Sequence, residues 1–145
     1  MNVKDAIALV NDWKETQPKI KTYVTTTELV VTFPDDREIR KSLPDDEFYV
    51  AIAPFINNTH PCETHYPSSC QGELIQETIQ LKVSIENGSS LFEGTKSTMK
   101  NGFFEVWLPR NKTININIVY NSLKANEIIK TNSNRNTCIT TAKLE

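Results

Sequence analysis

The sequence predicts a mainly β protein: an antiparallel β-sandwich or small barrel, preceded by a short N-terminal helical segment (α+β). Three observations favour this fold class. Several segments alternate apolar and polar residues with a period of two, which is typical of strands that bury one face. Turn-forming pairs such as Asn87-Gly88 and Asn101-Gly102 separate these segments at roughly ten-residue spacing. Helical periodicity is confined to the N-terminus.

The N-terminal segment is predicted to form one amphipathic helix of about four turns. Its apolar residues recur at helical spacing at Val3, Ile7, Val10 and Trp13. The helix should end near Gln17, because Pro18 lacks a backbone donor and restricts the residue before it. We expect the apolar stripe either to pack on the sandwich or to mediate self-association, and the helix to lie outside the functional site.

The predicted strands follow in order along the rest of the chain. Residues 26–33 and 38–43 form a hairpin around Pro34-Asp35-Asp36, and residues 48–53 form a nearly continuous apolar strand. Residues 79–85, 103–108 and 114–119 read as strands, with two short strands around Ile128 and Ile139. We therefore divide the chain into an N-terminal helix plus β-hairpin segment, residues 1–43, and a β-sandwich domain, residues 44–145.

Composition excludes several classes of partner. The chain has 16 basic and 18 acidic residues, for a net charge of −2, and neither sign forms a long run, so nucleic acid is not expected as a partner. Its apolar stretches are far shorter than the roughly 20 residues that span a bilayer, so no membrane span is expected. The sequence also lacks the motifs of hydrolases and of phosphate-binding loops.

The start of the sequence shows no signal peptide. Two explanations stay open at this point: the protein is cytosolic, or an export signal has been removed and Met1 replaces it. With three cysteines, the chain can close one disulfide at most and leaves an odd thiol.

The most informative segment is residues 60–70, which contains both histidines and two of the three cysteines. Thiolate and imidazole are good ligands for soft and borderline metals, so this segment predicts a metal or redox site. The candidate ligands are His60, Cys62, His65 and Cys70, and Cys138 would complete a three-sulfur site if the fold brought it to the loop.

These residues leave several alternatives open. Cu(I) favours two or three thiolates, whereas a Cys3His set would suit a structural zinc ion, although the C-x7-C spacing differs from a common zinc knuckle. Without metal, two thiols could bridge, and Cys62 with Cys70 would close a short loop that leaves Cys138 free. For His60 and His65, metal ligation and simple hydrogen bonding of the loop both remain open. Glu73 is expected to be solvated.

A set of motifs resembles the CueP family of bacterial copper-binding proteins. The motifs occur in family order over residues 44–141 and include all three cysteines, the H-x-C-x2-H-x4-C spacing and a T-C-x-T-T ending. The matching segments are Pro44-Asp45-Asp46-Glu47-Phe48-Tyr49, Ile52-Ala53-Pro54, Asn58-Thr59-His60, Cys70-Gln71-Gly72-Glu73-Leu74, Asn101-Gly102-Phe103, Trp107-Leu108-Pro109-Arg110 and Thr137-Cys138-Ile139-Thr140-Thr141.

The resemblance implies a protein of the periplasm or outer cell surface that holds copper, preferably Cu(I), through Cys62, Cys70 and Cys138. It makes His60 and His65 neighbours or auxiliary ligands. Zinc, as a substitute metal, is indicated by the ligand types alone. Some family members are also linked to copper delivery to a superoxide dismutase and to copper-dependent redox activity.

We therefore expect an extracytoplasmic protein that sequesters or relays copper in copper resistance and homeostasis, and a binding protein rather than an enzyme. The first alternative is a thiol redox protein that uses a loop disulfide, with metal reduction as its accessory activity. The second alternative is a structural zinc domain.

Overall fold

A computed structural model describes residues 1–132 and 136–145 and confirms a mainly β fold with a short N-terminal helix. The elements in chain order are α1 (Val3–Asn11), α2 (Trp13–Thr16), β1 (Lys21–Val24), β2 (Glu28–Thr32), β3 (Glu38–Ser42), β4 (Glu47–Ile52), β5 (Thr78–Ile85), β6 (Ser90–Ser97), β7 (Phe104–Pro109), β8 (Thr113–Tyr120), β9 (Leu123–Lys130) and β10 (Cys138–Ile139). No helix among the described residues is long and apolar enough to cross a membrane.

The N-terminal helix is interrupted, where the sequence predicted one continuous helix. Asn2 caps α1 by accepting a hydrogen bond from the Asp5 N–H at 2.8 Å. At Asp12 the backbone N–H bonds the Leu9 carbonyl at 3.1 Å, a tightened turn that ends α1, and the single turn α2 follows. The apolar stripe of α1 is buried in the chain's own core at Val3, Ala6, Ile7 and Val10.

Within residues 1–132 and 136–145 the strands form three sheets. Strands β1-β2-β3 and β6-β5-β8-β9 are antiparallel sheets, whereas β10-β4-β7 is mixed because β10 runs parallel to β4. Two strands, β1 and β6, were missing from the prediction. Strand β1 has only four residues, and almost every residue of the edge strand β6 is exposed, so neither shows a clear hydrophobic pattern.

The central strand β4 contributes to two cores. Alternate side chains of a strand point to opposite faces. Those of Phe48, Val50 and Ile52 face the four-stranded sheet, together with apolar residues of β5, β7 and β8. Those of Tyr49, Ala51 and Ala53 face α1, β1 and β2. The continuous apolar pattern of this segment thus reflects burial on both faces.

The second core positions the candidate site, since it contains Cys70 and Cys138 as well as residues of α1 and β2. It joins side chains from both parts of the chain. The domain boundary predicted between residues 43 and 44 falls in the connection between β3 and β4 and stays a prediction.

Candidate metal centre

The fold brings Cys138 to the loop that carries the other two cysteines. Cys62 and Cys70 lie in the long connection between β4 and β5, while Cys138 begins β10. Cys138 lies opposite Ala51 in the parallel ladder, and its N–H donates to the Glu63 carbonyl at 3.2 Å. The three sulfur atoms all lie within 4.8 Å of one another.

Cys62 and Cys138 form a disulfide, with Cα atoms 5.7 Å apart, which is ordinary for such a bond. Cys70 is the free, buried thiol, and its sulfur lies 3.6 Å from that of Cys62. The short-loop bridge between Cys62 and Cys70 is therefore not the one formed. The reason is the register of β10, which places Cys138 beside residue 63 despite a sequence separation of 76.

The sulfur of Cys70 is held by the backbone of its own turn. The Tyr66 N–H donates to this sulfur at 3.4 Å, and the Cys70 N–H donates back to the Tyr66 carbonyl at 2.8 Å. Burial raises the pKa of the Cys70 thiol, while the Tyr66 N–H and the charge of Lys14 act in the opposite direction.

Strand β1 anchors the segment that carries Cys70. The Val24 N–H donates to the His65 carbonyl at 2.8 Å. The Thr22 hydroxyl donates to the Ser68 hydroxyl at 2.7 Å and accepts from the Ser68 N–H at 3.0 Å. The sequence analysis missed these residues because a buried hydroxyl pair leaves no motif in a single sequence.

Thr137 connects β10 to both strand β1 and the loop that carries Cys70. Its hydroxyl accepts from the His65 N–H at 3.0 Å and donates to the Val24 carbonyl at 2.5 Å. The T-C-x-T-T motif contains this residue, but the motif alone did not indicate its role. The hydroxyl fixes the residue before Cys138 against both β1 and the loop.

His65 is fully buried, and neither of its ring nitrogens has a hydrogen-bond partner among the described residues. Its ring lies 4.6 Å from that of Phe103 and 6.3 Å from that of Tyr49, measured between centroids. Burial lowers the pKa of His65 to about 3, so the ring is neutral at physiological pH. Metal ligation by His65 stays a prediction.

His60 is exposed and bonded to the loop. Its Nε2 donates to the Gln71 carbonyl at 2.8 Å. This contact joins the two ends of the cysteine-bearing segment. Ligation by His60 also stays a prediction, since the sulfur cluster is formed by the three cysteines.

Glu73 organises the start of the loop, a role that the sequence did not indicate. Its carboxylate accepts backbone N–H bonds from Ile56 at 2.6 Å and from Asn57 and Asn58 at 3.2 Å. These bonds, that of Ile56 first, lower the pKa of Glu73. At the other end of the loop, the Gly72 N–H donates to the Asn101 carbonyl at 2.6 Å.

This arrangement supports two chemistries on the same atoms. When reduced, three sulfurs converge on a volume that one soft metal ion could occupy. When oxidised, two of them are joined and the third lies next to the bond. Disulfide formation and metal binding are therefore mutually exclusive states of one centre.

Comparison with known proteins supports this description. The family model "Periplasmic copper-binding protein CueP" matches residues 5–143. A solved structure titled "Crystal Structure of S.CueP" superimposes with a TM-score of 0.91 at 30% sequence identity, covering 99% of this chain and 89% of that chain. A comparison with the curated proteins finds no match.

Proposed function

The chain belongs to the CueP family of periplasmic copper-binding proteins, and from that premise we propose that it sequesters or relays Cu(I) through Cys62, Cys70 and Cys138. The observation that supports this proposal is the convergence of the three sulfurs within 4.8 Å of one another. Copper here is the cargo, and the reduced thiol centre is its binding site.

Cu(I) suits this centre better than zinc does. Cu(I) is satisfied by two or three thiolates, whereas a zinc site is almost always completed by a fourth ligand. The buried face of the cluster offers sulfur donors surrounded by apolar groups, including Phe103 and Ala51. His65 is buried nearby in sequence with an unpartnered ring, but the group of potential ligand atoms among the described residues contains the three sulfurs and no nitrogen.

The direct experiment is an anaerobic titration of the fully reduced protein with Cu(I) against a chelator of known affinity, with free thiols counted before and after. We expect one copper per chain and protection of all three thiols. Replacing any one cysteine by serine should weaken binding by more than the roughly 10- to 100-fold change typical of residues that support a ligand. Unchanged affinity in Cys138→Ser would remove that residue from the site.

A second titration separates copper from zinc. Zinc should be displaced by Cu(I) from the reduced protein, because thiolate-rich sites favour the softer ion. Unfolding of the protein by a zinc chelator would instead indicate a structural zinc domain.

A thiol redox function is the second candidate, and the Cys62–Cys138 disulfide next to the free Cys70 favours it. In this reaction the thiolates of Cys62 and Cys138 give up two electrons and form the disulfide, and each of two Cu(II) ions accepts one electron. Reduced protein mixed anaerobically with Cu(II) should then yield two Cu(I) per disulfide formed. Copper binding without loss of thiols would exclude this reaction.

The location and the partners complete the proposal. The family is periplasmic, which supports a site of action outside the cytoplasm. Removal of an export signal remains a proposal. A superoxide dismutase as copper acceptor remains a proposal from the family resemblance. Self-association also remains a proposal, and it would need a surface other than the α1 stripe, which is buried in the chain's own core.

A further inference from the structure

Lys14, in the single turn α2, reaches the thiol centre from the helical segment. Its ammonium donates to the Cys70 carbonyl at 3.5 Å and contacts the side-chain oxygen of Gln71. The sequence analysis placed the N-terminal helix outside the site. These contacts instead connect α2 directly to the residue that carries the free thiol and to its neighbour.

The ammonium is held in place by a side chain that is itself fixed. The Gln71 amide donates to the Gly72 carbonyl at 3.0 Å and to the Lys100 carbonyl at 3.4 Å, which leaves its oxygen directed to Lys14. The Gln71 carbonyl accepts from His60. Such anchoring lowers the entropy cost of keeping a lysine in one position.

The charge of Lys14 acts on the sulfur of Cys70. It favours the negatively charged sulfur, while burial disfavours charge on both groups. Glu15, beside Lys14, favours the charged ammonium, and the carboxylate of Glu105 accepts from the Tyr49 hydroxyl. A buried cluster of thiolates around one Cu(I) carries excess negative charge, which is costly without a nearby cation.

We propose that Lys14 is the counter-cation and a positioning residue of the thiol centre: it offsets the negative charge of the copper-bound thiolates and fixes the backbone of Cys70 through Gln71. This inference rests on the proposed copper function. It assigns the N-terminal segment an electrostatic part in the site.

The test compares two alkylating reagents that differ in charge, neutral iodoacetamide and anionic iodoacetate, on the oxidised protein, with the labelled cysteine mapped by mass spectrometry. Both reagents react with the same thiolate, so accessibility and thiolate fraction cancel in the ratio of the two rates. A cation near Cys70 raises the rate with iodoacetate. At low salt, we expect Lys14→Met to lower the iodoacetate-to-iodoacetamide ratio by roughly two- to fivefold.

Two further variants make the result specific. Lys14→Arg retains the charge and should restore the ratio. Lys82→Met makes the same change of net charge on the exposed side of β5 and should leave the ratio unchanged. An unchanged ratio in Lys14→Met would overturn the proposal. This includes the case in which both reagents react more slowly by the same factor, because such a result indicates only a structural effect.

Copper affinity provides the second measurement. With reduced protein, Lys14→Met should weaken Cu(I) binding about three- to tenfold at low salt, less at high salt, and Lys14→Arg should bind like the wild type. If the wild-type protein bound no Cu(I), the proposed copper function would be wrong. The alkylation ratio would still show whether the charge of Lys14 acts on Cys70. If the wild type bound Cu(I) and Lys14→Met bound it equally well, copper binding would stand and only the counter-cation role of Lys14 would be excluded.

Discussion

The backbones of Gly72 and Gly102 meet with no room for a side chain between them. A Cβ atom built on Gly102 would lie 2.6 Å from the carbonyl carbon and oxygen of Gly72, and one on Gly72 would lie 2.8 Å from the Gly102 oxygen. Gly102 also has a φ of +79°, a backbone conformation that residues other than glycine rarely adopt. This contact closes the cysteine-bearing loop against the turn before β7.

Gly102→Ala should therefore lower the free energy of unfolding by about 2 to 4 kcal/mol, the sum of backbone strain and a clash with backbone atoms. Denaturant unfolding measures the change. Gly88→Ala is the matched control, since Gly88 has a φ of +98° but open space around it, and it should cost about 1 kcal/mol. Equal effects of the two substitutions would show that the contact with Gly72 contributes nothing.

The disulfide predicts which thiol is free in the oxidised protein. Alkylation without reductant, followed by peptide mapping, should label Cys70 and leave Cys62 and Cys138 joined in one disulfide-linked peptide pair. Cys70→Ser should retain the bridge and show no reactive thiol, whereas Cys138→Ser should lose the native bridge. Labelling of Cys138 in the wild type would contradict this pairing.

The hydroxyl of Thr22 should control access to Cys70. Thr22→Val keeps the shape of the residue but leaves the buried Ser68 N–H without its partner, while the Ser68 hydroxyl retains its bond to the Ile20 carbonyl, at a cost of about 1 to 3 kcal/mol. We expect lower stability and faster alkylation of Cys70, because the 65–70 segment is held less firmly on β1. Thr22→Ser retains the hydroxyl and should alkylate near the wild-type rate. The role of this hydrogen bond would be refuted if the two variants reacted at the same rate.

His65 should make the metal-free protein sensitive to mild acid. In the unfolded chain a histidine takes up a proton near pH 6.5, whereas the buried ring remains neutral down to about pH 3. Between these values the unfolded state binds more protons, so the free energy of unfolding falls as the pH is lowered, by on the order of 1 kcal/mol per unit. Above pH 6.5 the ring is neutral in both states and this contribution is fully present.

Urea unfolding at several pH values between 7 and 4 measures this dependence. His65→Leu should show a flatter profile than the wild type. Parallel profiles for the wild type and His65→Leu would disprove the assignment.

The sequence predicted those parts of the fold that repeat a pattern. The alternation of Ile79, Leu81, Val83 and Ile85 predicted β5, and Asn87-Gly88 and Asn101-Gly102 predicted the turns after β5 and before β7, because each signal is local. Strand β1 was missed because four residues cannot establish a period. The break at Asp12 was missed because a tightened helical turn leaves no hydrophobic signature.

The sequence predicted which cysteines and histidines belong to the site, but not how the cysteines pair or which other residues contact them. The crowding of cysteine and histidine in residues 60–70 indicated the loop, and the family resemblance added Cys138. The disulfide partner depended on the parallel register between β10 and β4, which no local pattern specifies. Lys14 and Glu73 act through contacts with residues more than ten positions away, so their roles appear only in the folded chain.

The alternation of side chains along β4 makes the length of this strand more constrained than the identity of any residue in it. Even-numbered positions from 48 to 52 belong to the sandwich core, and odd-numbered positions from 49 to 53 belong to the core beside the sulfurs. Substitutions at neighbouring positions therefore perturb different cores, only one of which contains Cys70 and Cys138. Insertion of a single residue would exchange the two sets and disrupt both cores at once.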